Sequence, residues 1–165
     1  MGQAYSVLMV CTGNICRSPT ADGVLRQLVA VQGLQDVIEV DSAGTYDYHV
    51  GEAPDRRAQQ HARKRGYDLS NLRARQVAAS DFSRFDLILA MDKGHFAALR
   101  QRCPAEFHSK IQLFLDYAAA FQEDEVPDPY YGGAEGFEHV LDLVEDGCRG
   151  VLAHVQHQLA ARTPS

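Results

Sequence analysis

In the stretch VLMVCTGNICRSPTADG, residues 7–23, an apolar run ends at Cys11 and Arg17 follows six positions later. A thiolate is a strong nucleophile, and a guanidinium presents a planar fork that holds two oxygens of a phosphate-like group. Between them, Gly13 and Asn14 tolerate left-handed backbone, so the loop can curl until successive N–H groups converge. Such a nest, closed by a helix N-terminus, binds an oxyanion. The same donors favour an anionic sulfur, and Ser18 can add a hydroxyl. A nucleophile at the floor of an anion cradle is the arrangement of covalent phosphoryl transfer. Blander readings fit less well. Walker-type nucleotide binding needs a lysine that this loop lacks. Zinc needs more ligands at short spacing than Cys11 and Cys16 provide, and a merely buried Cys11 leaves Arg17 and Ser18 unexplained. Cys16 has two readings, a small packing residue or a thiol that captures an oxidised Cys11 as a disulfide.

Cleavage of a phosphate ester also needs a proton for the leaving oxygen. In EDEVPDPYYGG, Asp128 stands between Pro127 and Pro129, beside Tyr130 and Tyr131. Proline fixes the backbone and so fixes where the carboxyl points. Taken alone the segment reads as a surface turn; paired with the Cys11–Arg17 loop, it is the best source of an acid. Glu123, Asp124 and Glu125 read as a solvated charge run. Asp92, in AMDKGHF, reads as the N-cap of a helix. The seven histidines show no metal-ligand spacing, so no metal site is expected.

These residues need a scaffold. Apolar runs at 5–10, 37–41 and 85–91, with a shorter one at 110–114, read as strands buried on both faces. Helical periodicity falls between them. A first helix opens at Ser18–Pro19, with Ser18 as cap; a second opens at Pro54–Asp55 and closes at Gly66. A third covers 93–102 and the longest runs over about 136–161. Strand and helix alternate, which predicts an α/β fold with a parallel sheet, right-handed crossovers and a ligand beyond the carboxyl ends of the strands. Cys11 begins the first strand-to-helix turn, where that rule puts a site.

The chain has 165 residues, 45% apolar and 23% charged, with no repeat or Pro/Gly-rich linker. That predicts one domain over residues 1–165 with a sizeable core. A net charge of −6 argues against nucleic acid as a partner, and no run is long enough to span a membrane. Four cysteines are too few for a disulfide scaffold, and the expected location is the cytoplasm. The expected oligomeric state is a monomer or weak dimer.

VCTGNICRSPTAD closely resembles the signature of the low-molecular-weight protein tyrosine phosphatases. The resemblance continues, in order, at Asp41–Ser42–Ala43–Gly44–Thr45, Arg73–Ala74–Arg75–Gln76, Met91–Asp92 and Asp128–Pro129–Tyr130–Tyr131. It implies a single domain with a four-stranded parallel sheet flanked by helices on both faces, the phosphate-binding loop after the first strand, and no cofactor. It implies that Cys11 attacks phosphorus to give a phosphocysteine, with Arg17 and the amides of Thr12, Gly13, Asn14, Ile15, Cys16 and Ser18 around the oxygens. Asp128 would protonate the phenolic oxygen and then help activate water. Asn14, Ser18 and Ser42 would support the loop. The partners implied are a tyrosine-phosphorylated protein or peptide and inorganic phosphate as product.

Two departures from the family pattern stand out. Where relatives often carry a histidine supporting Asn14, spacing puts Leu72, which cannot make that bond. Where they often carry a tryptophan, this chain has Tyr48; with Tyr46, Tyr130 and Tyr131 it could form an aromatic slot, with Thr12 touching the substrate ring. Two other functions share the motif. Arsenate reductase of the same fold needs two closely placed downstream cysteines, and Cys103 and Cys148 are far apart. A non-catalytic phosphate-binding module would need neither the thiol nor the acid.

Overall fold

The computed structural model describes residues 4–130 and 132–162. Four strands, β1 (Tyr5–Cys11), β2 (Ile38–Gly44), β3 (Leu87–Ala90) and β4 (Ile111–Leu113), form one parallel sheet in the order β2-β1-β3-β4. Every residue of β1 is buried. Alternate side chains serve opposite faces: Val7, Met9 and Cys11 pack on one side, Leu8 and Val10 on the other. This is why the run shows no alternation in sequence. Each large apolar side chain so buried contributes about 1.5–3 kcal/mol.

The helices are α1 (Arg17–Val31), α2 (Arg56–Lys64), α3 (Asp81–Arg84), α4 (Lys93–Arg102) and α5 (Ala134–Arg162). α1 and α5 supply the core on one face through Val24, Leu25, Val144 and Val151. The other face is closed by Phe82, Phe85 and Leu99 from around α3 and α4. The sheet is thus covered on both sides, as its apolar strands require.

Several boundaries differ from the sequence-based ones. β2 runs through Gly44, not Asp41, because it pairs with β1 as far as Cys11. A Cβ at Gly44 would lie 2.6 Å from the Thr12 carbonyl oxygen, so only glycine lets β2 pass the loop this closely. β3 is shorter than expected; Phe85 instead closes the one-turn helix α3, which had no sequence signal of its own. Ser18 is not a cap. α1 begins two residues earlier, at Arg17, with Cys16 in the cap position and no side-chain cap. The second helix opens as expected, Asp55 accepting from the Arg57 and Ala58 N–H groups, and Gly66 (φ 93°) follows its end.

Candidate active site

The loop from Cys11 to Arg17 lies at the carboxyl end of β1. Its carbonyls turn outward: Cys11 accepts from Thr45 N–H, Thr12 from Tyr46, Ile15 from Asp55 and Cys16 from Thr20, at 2.8–3.2 Å. Among the described residues, no N–H from Thr12 to Arg17 is spent on a backbone or side-chain acceptor. A loop with four of its carbonyls bonded outward and its N–H donors unspent is built to receive an anion. Asn14 alone takes the left-handed backbone, with φ 59°. Gly13 was expected to share that role and does not; it is small because His49 packs on it, a Cβ there meeting His49 Cδ2 at 2.9 Å.

Cys11, 3% exposed, forms the floor. Its sulfur lies 2.9 Å from Ser18 Oγ. Further bonds lie behind Ser18. The Arg75 backbone N–H can only donate, and it donates to Asn14 Oδ1 at 3.0 Å. That leaves Asn14 Nδ2 to donate to Ser18 Oγ at 2.8 Å; the Ser18 hydroxyl has the Cys11 sulfur at 2.9 Å and the Ala43 carbonyl at 3.5 Å, and it can donate to the sulfur when the sulfur is anionic. A chain of hydrogen bonds thus links the Arg75 N–H to the sulfur. Leucine at position 72 is therefore tolerated. Leu72 packs against the core, and a main-chain N–H occupies the Asn14 acceptor. Arg75 is itself anchored by Asp81 at 2.9 and 3.1 Å and by Asp41 at 3.2 Å. Ser42 stands apart from this set: it is buried on β2 with its side chain toward the Asp22 carboxyl.

Arg17 is 5% exposed. Its Nη1 donates to Asp92 Oδ2 at 2.9 Å and to the Val126 carbonyl at 3.0 Å. The Nη2 atom is 3.3 Å from Thr12 Oγ1 and 3.9 Å from Asp128 Oδ2. One edge of the fork is thus fixed, and the Nε–Nη2 edge faces the loop with Nε unspent among the described residues. Asp92 is the expected N-cap, its Oδ1 accepting from His95 N–H at 2.9 Å, while its other oxygen takes Arg17. Against the upward push of burial, the His95 N–H, the His95 ring and Arg17 hold the Asp92 carboxyl below its ordinary value.

His95 carried no sequence signal and belongs to the site. Its Nε2 is 2.7 Å from Thr12 Oγ1 and 3.4 Å from Arg17 Nη2. Arg17 can only donate, so Nε2 accepts and the ring proton sits on Nδ1, 3.0 Å from Asp92 Oδ1 though not aligned for a hydrogen bond. Burial, then Arg17, push the His95 pKa down to about 4. The sign of the resulting pH effect is fixed. Below its ordinary 6.5 the unfolded chain takes a proton at His95 that the folded chain refuses down to about 4. Stability should therefore fall with pH through that window, by about 3 kcal/mol over its full width. Urea unfolding of wild type and His95→Gln at pH 7 and pH 5 checks this: the variant should lose less stability than the wild type, and parallel losses would contradict it.

A cavity of about 280 Å³ opens above Cys11, lined by Thr12, Gly13, Ile15, Cys16, Arg17, Tyr48, His49, Asp128 and Tyr130. Cys11 is buried, whereas Tyr48 at the rim is 76% exposed, so a substrate must reach from rim to floor. Asp128 is partly exposed; its Oδ1 accepts from Tyr130 N–H at 3.0 Å. Tyr46 stacks on Tyr48 with ring centroids 5.6 Å apart, but it faces a neighbouring depression with His95 and Arg102, so it does not line the slot as expected. Tyr131, expected at the entrance, lies outside the described residues. Cys16 packs with Ile15, Ala58 and Phe137. Burial, then the nearby Asp55 and Cys11, push its thiol well up, so Cys16 stays protonated. Glu123, Asp124 and Glu125 were expected to be solvated only. They instead bind His139, the Lys93 side chain and the Lys93 N–H at 2.8–2.9 Å, tying the Asp128 segment to α4 and α5. No group of residues suited to a metal ion occurs among the described residues. Cys103 and Cys148 are buried separately, in opposite core layers.

The buried thiol lies under unspent amide donors, beside a half-held guanidinium and below a carboxyl at the rim, an arrangement shaped to receive a phosphate-like anion. The family model for low molecular weight phosphotyrosine protein phosphatase matches residues 6–161. The chain is 47% identical over 154 residues to the putative low molecular weight protein-tyrosine-phosphatase of Synechocystis sp., covering 93% of this chain and 98% of that one. It is 47% identical over 161 residues to the low molecular weight protein-tyrosine-phosphatase of Streptomyces coelicolor, covering 96% and 98%. The crystal structure of a protein tyrosine phosphatase from Entamoeba histolytica, with Hepes in the active site, superposes with a TM-score of 0.91 at 39% identity, covering 94% of this chain and 99% of that one. The chain belongs to the low molecular weight phosphotyrosine protein phosphatase family. It is a protein-tyrosine phosphatase.

Proposed function

We propose that residues 1–165 form one phosphatase domain that hydrolyses phosphotyrosine in proteins or peptides through a phosphocysteine on Cys11. The carrying observation is the hydrogen-bonded chain Arg75 N–H, Asn14, Ser18, Cys11 beneath the unspent loop donors. The phosphoryl group enters the loop, its oxygens meeting the amides from Thr12 to Ser18 and the free edge of Arg17. Cys11 sulfur forms a bond to phosphorus as the bond to the phenolic oxygen breaks. Asp128 gives its proton to that oxygen. Water then attacks phosphorus, the Asp128 carboxylate takes the water proton, and the sulfur leaves as a thiolate held by Ser18. Inorganic phosphate is the product. The step from rim to floor suits a phenyl phosphate, whose ring spans Tyr48, Tyr130 and Thr12; a short phosphoserine would leave its phosphorus above Cys11. Ser42, through Asp22, steadies α1 behind the loop. Cys16 is a packing residue whose thiol adjoins Cys11 and is available to capture it after oxidation. The enzyme works as a cytoplasmic monomer or weak dimer, with no cofactor, metal, nucleic acid or membrane.

Asp128→Asn tests the acid. On phenyl phosphate, whose leaving group needs a proton, kcat/KM should fall by about 10²–10³-fold, within the range of general-acid contributions. On 4-nitrophenyl phosphate, whose leaving group departs unprotonated more readily, the loss should be far smaller. Equal losses on both would rule out proton donation by Asp128.

A further inference from the structure

Asp128 is carried on a short span, Val126 to Tyr130, and what holds that span fixes the carboxyl. The upstream end is tied twice: Val126 N–H donates to the Met91 carbonyl at 2.8 Å, and the Val126 carbonyl accepts from Arg17 at 3.0 Å. The downstream end meets α2. Arg57 Nη2 donates to the Tyr130 carbonyl at 2.9 Å. The same guanidinium lies 5.4 Å from the Tyr130 ring centroid and 4.9 Å from that of Phe137, at the start of α5. Its other contact is Asp55, at 3.2–3.3 Å. Asp55 is not a loose partner. It caps α2, and its N–H donates to the Ile15 carbonyl of the phosphate loop at 2.8 Å.

We infer that Arg57 is a positioning residue for the Asp128 acid: its guanidinium ties the Tyr130 carbonyl to the start of α2 and so fixes the carboxyl relative to the phosphate loop. The line of contacts is continuous, from Ile15 through Asp55 and Arg57 to Tyr130, and Tyr130 N–H in turn holds Asp128 Oδ1 at 3.0 Å. Arginine is suited to this because one planar fork serves a carboxylate, a carbonyl and two ring faces together. Arg57 does not line the cavity above Cys11, so its effect on proton donation is exerted through the span that carries Asp128. The inference rests on the reading of Asp128 as the acid.

The experiment measures kcat/KM on phenyl phosphate and 4-nitrophenyl phosphate for wild type, Arg57→Met, Arg57→Lys, Asp128→Asn and the double variant Arg57→Met/Asp128→Asn, with inhibition by inorganic phosphate alongside. Arg57→Met should lower kcat/KM on phenyl phosphate by about tenfold, the scale of a small misplacement of a reacting group. It should cost less than about threefold on 4-nitrophenyl phosphate, where little proton donation is needed. Phosphate inhibition should be unchanged. Arg57→Lys should fall between, since lysine keeps the charge and loses the fork. In the Asp128→Asn background the Arg57 change should cost nothing more, because there is no acid left to position. An equal loss on both substrates, or a loss that adds to that of Asp128→Asn, would overturn the inference. If Asp128→Asn itself showed no leaving-group dependence, the acid reading would fail instead, which the Arg57 variants cannot mimic.

Discussion

Cys11→Ser is expected to leave turnover of phenyl phosphate at least about 10⁴-fold below wild type, the scale on which removal of a nucleophile acts. The substitution changes one atom and keeps a group able to hydrogen-bond. Yet a serine alkoxide is far harder to form than a thiolate, and the group hydrogen-bonded to the Cys11 sulfur, the Ser18 hydroxyl 2.9 Å away, is not a base. The chain from the Arg75 N–H through Asn14 to Ser18 offers the sulfur a hydrogen bond and supplies no base. Binding should survive, because the loop amides and Arg17 are untouched. Inorganic phosphate titrated into Cys11→Ser should bind at least as tightly as to wild type. A variant that kept its rate would remove Cys11 from the chemistry.

Arg17→Lys is expected to lower kcat/KM by about 10³-fold, counting one lost bidentate contact at the scale of an oxyanion donor and the disturbance of its neighbours. Arg17 does two things that a lysine cannot combine. One end of the fork is spent on Asp92 and the Val126 carbonyl; the other edge faces the phosphate position. A single ammonium reaching Asp92 would stand back from the loop, and one reaching the loop would leave a partly buried carboxylate unpaired. Because Val126 begins the Asp128 span, the change should also steepen the dependence of kcat/KM on the leaving group. Steady-state kinetics on the phenyl and nitrophenyl esters reads both effects. A loss confined to KM would contradict this double role.

The core of the site was legible because it is local. Cys11, Gly13, Asn14, Arg17 and Ser18 fall within eight residues, so their chemistry shows in the spacing alone. The β1 strand that presents them was equally plain, since burial on both faces leaves an unbroken apolar run. Asp128 could be picked out because two prolines bracket it. The groups missed act from far along the chain. Asp92 and the Val126 carbonyl meet Arg17 across 75 and 109 residues, and His95 reaches Thr12 across 83. Main-chain groups such as the Val126 carbonyl and the Arg75 N–H carry no residue-type signature at all. That is also why Leu72 misleads: the histidine bond is absent, but the acceptor it would have served is filled by a main-chain N–H that any residue can supply. Asp92 was read only as a helix cap; one of its oxygens does cap α4, while the other holds Arg17. Tyr46 was grouped with Tyr48 by proximity in sequence, yet the chain bends and turns between them and, although their rings stack, each lines a different depression.

The phosphocysteine on Cys11 is tested most directly by acid-quenching the enzyme during turnover of 4-nitrophenyl phosphate and weighing its peptides by mass spectrometry. The peptide carrying Cys11 should gain the mass of one phosphoryl group, the label should vanish in Cys11→Ser, and it should accumulate in Asp128→Asn, where water is activated poorly. A label on any other residue, or none at all during steady turnover in Asp128→Asn, would contradict a covalent mechanism at Cys11.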